Sequence, residues 1–124
     1  KFSKKVQLSK IKLLNILNDL KKQKKTVVGY GATAKAVTIL NYCNINNDLI
    51  SNFIDTTPEK INRYMPGKNI KILRYNNKIL DNYHYVFLGA WNFTKEIFNK
   101  EKKFLRKGGK FITHVPLPKI FGFN

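Results

Sequence analysis

A glycine-rich turn between a predicted strand and a predicted helix is the part of this sequence best suited to bind a ligand. It reads Val27-Val28-Gly29-Tyr30-Gly31-Ala32-Thr33-Ala34-Lys35. In this pattern Gly29 is expected to permit a tight turn and Gly31 to let a ligand approach the backbone. Ala34 takes the place of a third glycine, where helix and strand pack closely. The amino end of a helix also offers unpaired N–H groups and the positive end of its dipole, so we predict that the turn binds a phosphate.

Two charged side chains lie where they can extend that site. Asp55 follows the second apolar run of the chain, a position from which a carboxylate accepts hydrogen bonds from ribose hydroxyls. The same carboxylate can instead cap the turn Thr56-Thr57-Pro58, and the sequence leaves both interpretations open. Lys35 falls in the first turn of the predicted helix, where its ammonium can reach a diphosphate or remain an ordinary exposed lysine.

Aromatic and histidine side chains near the strand ends are further candidates. Tyr30 and Trp91 can stack on a base or a sugar, although aromatic residues at strand ends also cover cores. Asn92 suits a helix N-cap with or without a ligand. His84 and His114 are candidate proton carriers, but neither has a carboxylate partner close in sequence. We therefore interpret both histidines as solvated or hydrogen-bonded structural residues.

Several catalytic patterns are missing from the sequence. One cysteine, Cys43, can form neither an intramolecular disulfide nor a Cys-rich zinc site, and we expect it to pack in the helix after the glycine turn. The glycine turn lacks the lysine-serine ending of nucleotide hydrolases, and no nucleophile elbow or metal-spaced histidine pair occurs. We therefore expect a binding module that holds no metal and no cofactor of its own, and we assign no catalytic residue.

The strong positive charge raises the question of nucleic-acid binding. The chain has 24 Lys and Arg against 7 Asp and Glu, a net charge of +17. These charges are spread over the whole chain, and only Arg63, Arg74 and Arg106 offer the bidentate group that reads bases and phosphates best. The distribution favours a solvated basic surface, which attracts small anions, over a nucleic-acid groove.

The hydrophobic pattern predicts alternating strands and helices. Strands are predicted at residues 26–30, 50–54, 70–73, 85–90 and 110–115, and helices at residues 6–20, 33–43 and 92–107, with a short helical or turn segment at 76–82. Connections of this length favour right-handed parallel crossovers. We predict an α/β fold, a Rossmann-like three-layer αβα sandwich with a five-stranded parallel sheet of order 3-2-1-4-5, preceded by an amphipathic helix.

This topology predicts the position of the ligand. In such sheets the crevice lies beyond the carboxyl ends of the strands, where the first and fourth strands send their connections to opposite sides. The glycine turn ends the first strand and Trp91-Asn92 follow the fourth. The two segments are expected to face each other.

Length and composition set the expected organisation. The 124 residues suffice for a single domain, with a helix or connector at 1–25, an αβ core at 26–118 and a tail at 119–124. The chain begins with Lys1 and is too short for an enzyme of the two-domain kind, so we expect a fragment of a longer protein. No stretch has the length of a membrane helix and no signal-peptide pattern occurs, which predicts a cytoplasmic protein.

Six short motifs occur in order between residues 25 and 118. They are Gly29-Tyr30-Gly31-Ala32-Thr33-Ala34-Lys35, Asn41-Tyr42-Cys43, Ile54-Asp55, Tyr64-Met65-Pro66-Gly67-Lys68-Asn69-Ile70, Ala90-Trp91-Asn92 and Pro116-Leu117-Pro118. Together they resemble the C-terminal domain of sugar C-methyltransferases. Those S-adenosylmethionine-dependent enzymes methylate a carbon of a nucleotide-linked deoxysugar, and they combine a zinc-binding N-terminal module, a methyl-transfer domain and a Rossmann-like C-terminal domain.

The resemblance implies that this domain holds a nucleotide-diphosphate deoxysugar. S-adenosylmethionine and the chemistry would then belong to the upstream methyl-transfer domain of the same polypeptide. The resemblance and the turn together give as substrate-binding candidates Gly29, Tyr30, Gly31, Ala32, Thr33, Lys35, Asp55, Tyr64, Trp91 and Asn92. The alternatives are a free-standing module that binds NAD or another nucleotide, or has a regulatory role, and, third, a nucleic-acid-binding domain.

Overall fold

A computed structural model describes residues 4–89, 94–114 and 119–122 of the chain. Its elements are α1 (Lys4–Lys22), β1 (Val27–Tyr30), α2 (Ala34–Tyr42), β2 (Asn52–Asp55), β3 (Lys71–Arg74), β4 (Tyr85–Leu88), α3 (Thr94–Lys100), α4 (Lys102–Arg106), β5 (Lys110–Thr113) and β6 (Lys119–Gly122). Two short 3-10 helices, Pro58–Lys60 and Ile79–Asn82, follow β2 and β3. Across these residues, no helix combines the length and apolar character that a membrane span requires.

The described strands form one mixed sheet of order β3-β2-β1-β4-β5-β6. The first five strands are parallel in the predicted order 3-2-1-4-5, which is confirmed. The prediction of only five strands was wrong, because β6 pairs antiparallel with β5 through Thr113 and Lys119. Residues 119–122, predicted as a tail, are thus the sixth strand. Only residues 114–118 separate the two strands, too few for the crossover that a parallel neighbour needs.

One face of the sheet is covered by α1 and α2. From α1, Leu13 and Leu17 point into this layer, and from α2, Leu40 does the same; all three are fully buried. They pack with Phe53 and Phe87, whose rings meet edge to face at 6.5 Å between centroids. The amphipathic pattern of α1 is therefore confirmed, and its apolar stripe is what holds it on the sheet.

The other face is covered by α3 and α4. Phe104 of α4 stacks at 5.9 Å on Phe111 of β5, and both are buried. The single helix predicted at 92–107 is two helices in the structure, broken at Glu101, whose φ and ψ of −105° and 30° leave the helical region. The Glu101 side chain at this break is buried. The glycine cap predicted after this helix is confirmed, because Gly108 has a φ of +96°.

Candidate ligand site at the carboxyl edge of the sheet

The glycine turn joins the carboxyl ends of β1, β2 and β4. Gly31 takes a φ of +94°, and its N–H donates to the Ile54 carbonyl at 2.9 Å. Thr33 is the N-cap of α2, and its hydroxyl oxygen accepts from the Ala36 N–H at 3.1 Å. The same hydroxyl donates to the carbonyl of Gly89, just after β4, at 3.0 Å. The turn is therefore fixed by backbone and side-chain hydrogen bonds.

Gly29 does not make the tight turn that the sequence predicted. It lies within β1, and the turn is made by Gly31. A Cβ on Gly29 would lie 2.3 Å from the Phe53 ring, closer than two non-bonded carbon atoms can approach. Gly29 is therefore needed so that Phe53 can pack across the sheet.

The close contact between helix and strand is also made by different residues from those predicted. Ala34 is exposed, whereas Ala36, one half-turn later, is fully buried. A Cβ on Gly89 would lie 2.6 Å from the Gly31 carbonyl oxygen and 3.0 Å from the Ala36 Cβ. Gly89 and Ala36 thus let the end of β4 approach the turn. No motif in the sequence analysis included Gly89, although it follows the most apolar strand.

Asp55 holds the glycine turn in place. Its Oδ2 accepts from the Ala32 N–H at 2.8 Å, and its Oδ1 accepts from the Thr57 N–H at 2.9 Å. Burial raises the pKa of the Asp55 carboxyl, but these hydrogen bonds and the charge of Lys60 outweigh it and hold the pKa below its usual range. The capping interpretation of Asp55 describes these contacts, and its contact with a ribose stays a prediction.

Lys60 completes this arrangement from the 3-10 helix after β2. Its Nζ donates to the Ala32 carbonyl at 2.7 Å. Both backbone groups of Ala32 are thus bound within the fold, one by a carboxylate and the other by an ammonium. The predicted contact of Ala32 with a ligand would have to use other atoms of this residue. The exposed Lys35 lies beside it in the first turn of α2.

A cluster of two tyrosines and a buried glutamate borders the turn. The hydroxyls of Tyr30 and Tyr75 both donate to Oε2 of Glu101, each at 2.8 Å. Their rings meet edge to face at 5.9 Å, and the Lys100 ammonium lies 4.2 Å from the centre of the Tyr75 ring. Glu101 is only 7% exposed. Burial and the Glu101 carboxylate raise the pKa of Tyr75 to about 12, and the pKa of Tyr30 still further.

The sequence analysis missed Glu101, although its spacing contains a signal. Glu101 lies four residues after Ile97 and three before Phe104, on the buried side of the predicted helix. A carboxylate on an apolar face needs donors inside the protein. That rule would have predicted a buried partner for Glu101.

A cleft of about 160 Å³ opens between this cluster and the turn. Its walls are Tyr30, Gly31, Ile54, Asp55, Thr56, Tyr75 and Lys100. Three of the predicted site residues, Tyr30, Gly31 and Asp55, are therefore brought together. The cleft combines two tyrosine side chains with the Lys100 ammonium and the Asp55 carboxylate.

A larger cleft, of about 620 Å³, lies at the opposite, amino edge of the sheet. It is lined in part by Lys25, His84, Lys107 and Lys110. The carboxyl ends of α1 and α4 point to this edge, and their negative dipole ends account for basic residues there. Sheets of this kind bind their ligands beyond the carboxyl ends of the parallel strands. We therefore place the candidate site at the carboxyl edge, despite the smaller volume there.

Tyr64 does not lie at the carboxyl edge. It forms an isolated antiparallel bridge with Lys71, the first residue of β3, and its side chain is 56% exposed. The neighbouring Pro66 carbonyl accepts from the Asn41 side chain near the end of α2. Both contacts are at the amino edge, so Tyr64 and the glycine turn are one strand length apart. Trp91 and Asn92, predicted to face the turn, lie outside the described residues.

The two histidines differ from each other. Nδ1 of His84 lies 3.0 Å from the Thr26 N–H, so the prediction of a hydrogen-bonded histidine is confirmed. Nδ1 of His114 is buried and has no hydrogen-bond partner among the residues described, although the residue as a whole is only half-buried. Burial lowers the pKa of the His114 imidazole.

Cys43 is a free, buried thiol at the end of α2, as predicted. Burial raises the pKa of the Cys43 thiol despite the opposing charge of Lys10, so the thiolate is disfavoured. In the part of the chain that the structure describes, no three His, Cys, Asp or Glu side chains form a group able to hold a metal ion.

Comparison with known proteins agrees with the motifs. The family model for the C-methyltransferase C-terminal domain matches residues 1–116. The C-methyltransferase NovU of Streptomyces niveus is 38% identical over 96 residues, which are 77% of this chain. The aligned part is 23% of the length of NovU, so the chain spans about a quarter of this curated relative.

Proposed function

This chain belongs to the C-methyltransferase C-terminal domain family, and we propose that it binds the nucleotide-diphosphate deoxysugar substrate of an S-adenosylmethionine-dependent C-methyltransferase. The methyl transfer itself would take place on a domain outside these 124 residues. The single buried thiol of Cys43 needs no oxidising compartment, so the proposed location is the cytoplasm.

The observation that carries this proposal is the position of the glycine turn. The turn ends β1 beside β4, where the chain connections leave the sheet on opposite sides, and this is where α/β sheets bind their ligands. Gly31 opens the turn, and Thr33 caps α2, whose positive dipole end faces this edge. A diphosphate is an anion suited to that end of the helix.

Lysines add to the positive field at the same edge. Lys35 lies on the first turn of α2, Lys60 binds the turn itself, and Lys100 borders the cleft. In the proposed complex, Lys35 contacts the diphosphate, and Asp55 and Lys60 keep the turn rigid around it. A rigid cradle of this kind lowers the entropy that the site loses on binding. The domain would thereby orient the sugar for the methyl-transfer domain.

Calorimetric titration with nucleotide-diphosphate deoxysugars tests the proposal. Saturable binding by the 124-residue chain, or by the full-length protein that contains it, is the expected result. Lys35→Gln should weaken binding by about three- to tenfold, as the loss of one charge-assisted contact predicts. The matched control is Lys22→Gln, an exposed lysine at the amino edge, which should leave the affinity unchanged.

Two results would overturn the proposal. One is an absence of saturable sugar-nucleotide binding even in the full-length protein. The other is tight binding of NAD by the 124-residue chain without competition from nucleotide sugars, which would favour a free-standing dinucleotide module. Binding of DNA or RNA that weakens steeply with salt would instead support the nucleic-acid alternative.

A further inference from the structure

We propose that the cleft between Tyr30, Tyr75 and Lys100 is a subsite for the planar base of a nucleotide, and that the buried Glu101 is a positioning residue that holds its walls. The ligand class rests on the proposed function. The placement rests on contacts that neither the motifs nor the family comparison assign.

Glu101 fixes the two tyrosines relative to each other. A single oxygen, Oε2, accepts both hydroxyls at 2.8 Å, and the carboxylate is buried. Hydrogen bonds to an ionised acceptor are about twice as strong as neutral ones. Because both rings are held at their hydroxyl ends and pack edge to face, neither can swing into the cleft. Glu101 stands at the break between α3 and α4.

The cleft fits a planar ring in size and chemistry. Its volume of about 160 Å³ is close to that of an engineered cavity of about 150 Å³ that takes up benzene. Tyrosine rings form part of its wall, and Lys100 lies over Tyr75, so an aromatic ligand meets ring surface and a cation together. The carbonyl oxygens of a base can accept from the Lys100 ammonium. A phosphate alone would gain little from the tyrosine rings.

The cleft also continues into the predicted phosphate site. Gly31 belongs both to the cleft wall and to the turn that opens α2. A base in the cleft would therefore leave its phosphates at the amino end of that helix. Asp55 lies between the two parts, with both carboxylate oxygens already hydrogen-bonded to backbone amides. The two subsites are built on one rigid segment.

Amide NMR of the 15N-labelled 124-residue chain separates the two subsites. The probes are thymidine diphosphate, free thymidine and inorganic pyrophosphate. Thymidine and thymidine diphosphate should both shift the amides of Gly31, Thr56 and Tyr75, and pyrophosphate should shift the amides around Lys35. If thymidine diphosphate binds but thymidine does not shift the cleft amides, the base subsite is overturned and the proposed function still stands. No binding by any probe would overturn the base subsite, and the proposed function would fall with it if the full-length protein also fails to bind a nucleotide sugar.

Substitutions test the walls of the cleft. Lys100→Gln should weaken thymidine diphosphate binding by about three- to tenfold, and the exposed neighbour Lys102→Gln should not. Tyr75→Phe keeps the ring and should bind more tightly than Tyr75→Leu, which removes it. Equal affinities for the two Tyr75 variants would overturn the stacking role.

Glu101→Gln tests the positioning role. We expect weaker thymidine diphosphate binding together with a fall in the pKa of Tyr75, read from its ultraviolet titration. The affinity is measured under conditions in which circular dichroism shows that the variant is folded. A loss of stability alone then does not change the affinity. An unchanged affinity in the folded variant would overturn the role and leave Glu101 as a stabilising residue only.

Discussion

The Asp55 carboxylate and the Ala32 amide form a 2.8 Å hydrogen bond that joins the end of β2 to the glycine turn after β1. This contact uses the acidic residue for which the sequence left open a ribose contact and a cap of the following turn. The other oxygen of Asp55 binds the Thr57 amide, so one side chain orders two loops of the candidate site. The shape of the site before any ligand arrives therefore depends on Asp55.

Asp55→Asn should destabilise the protein by about 1–3 kcal/mol, because an amide group can accept only one of these two backbone hydrogen bonds and leaves an N–H without a partner. Urea unfolding followed by circular dichroism measures the change. The control is Asp48→Asn, whose ion pair with Lys21 at 3.2 Å is exposed and contributes about 0–1 kcal/mol. Equal losses in the two variants would contradict the role of Asp55.

Acid should weaken the fold partly through the same residue. The pKa of Asp55 is lower in the folded protein than in the unfolded chain, so its contribution is fully present above the unfolded value of about 4. That contribution is lost as the pH falls through the folded pKa. Unfolding free energies measured from pH 6 to pH 2 should therefore fall less steeply for Asp55→Asn than for the unmodified chain. Parallel curves would show that Asp55 is not responsible.

Gly29→Ala should destabilise the protein by about 1–3 kcal/mol or more, because its Cβ would overlap the Phe53 ring in a packed core. A second substitution, Phe53→Leu, creates room for that Cβ. The double variant should lose less stability than the sum of the two single variants, as expected for residues in contact. Gly108→Ala, at a positive φ but in open space, should show no such coupling with Phe53→Leu.

Alkaline pH should unfold the protein through Tyr30 and Tyr75. Their pKa values are raised in the folded state, that of Tyr75 to about 12, above about 10 for an unfolded chain. The stability they contribute is therefore fully present below pH 10 and is lost as the pH rises towards 12. Thermal unfolding between pH 8 and pH 11.5 should show this loss, and Glu101→Gln should reduce it. The same slope in both proteins would contradict the network.

The strand order could be predicted because each parallel strand is an apolar run separated by a helix or a long connection. The run Tyr85–Leu88 is apolar on both faces, which predicts a central strand, and β4 lies beside β1 in the sheet. The contacts of Asp55 with Ala32 and of Glu101 with Tyr30 could not be predicted in the same way. Both depend on partners 23 to 71 residues distant in sequence, and a local pattern gives no information on such partners beyond the need for them.

The sixth strand and the position of Tyr64 could not be predicted, for related reasons. Residues 119–122 follow two prolines and are too few to show the alternation of apolar and polar side chains that indicates a strand. They were therefore predicted as a tail. Tyr64 lies in the connection between β2 and β3, which runs from the carboxyl edge of the sheet back to its amino edge. The sequence does not show how close to either edge Tyr64 lies along this connection. Its bridge to Lys71 is at the far end of the crossover.

The short antiparallel strand β6 also affects how this sheet meets other molecules. By pairing with β5 it occupies backbone groups that would otherwise attract a strand from another chain. Its own outer edge is only four residues long, and short edges are one way in which proteins avoid intermolecular pairing. A chain that ends before residue 119 would expose β5 instead, and we expect it to self-associate. We therefore expect β6 to keep the edge of β5 from pairing with another chain.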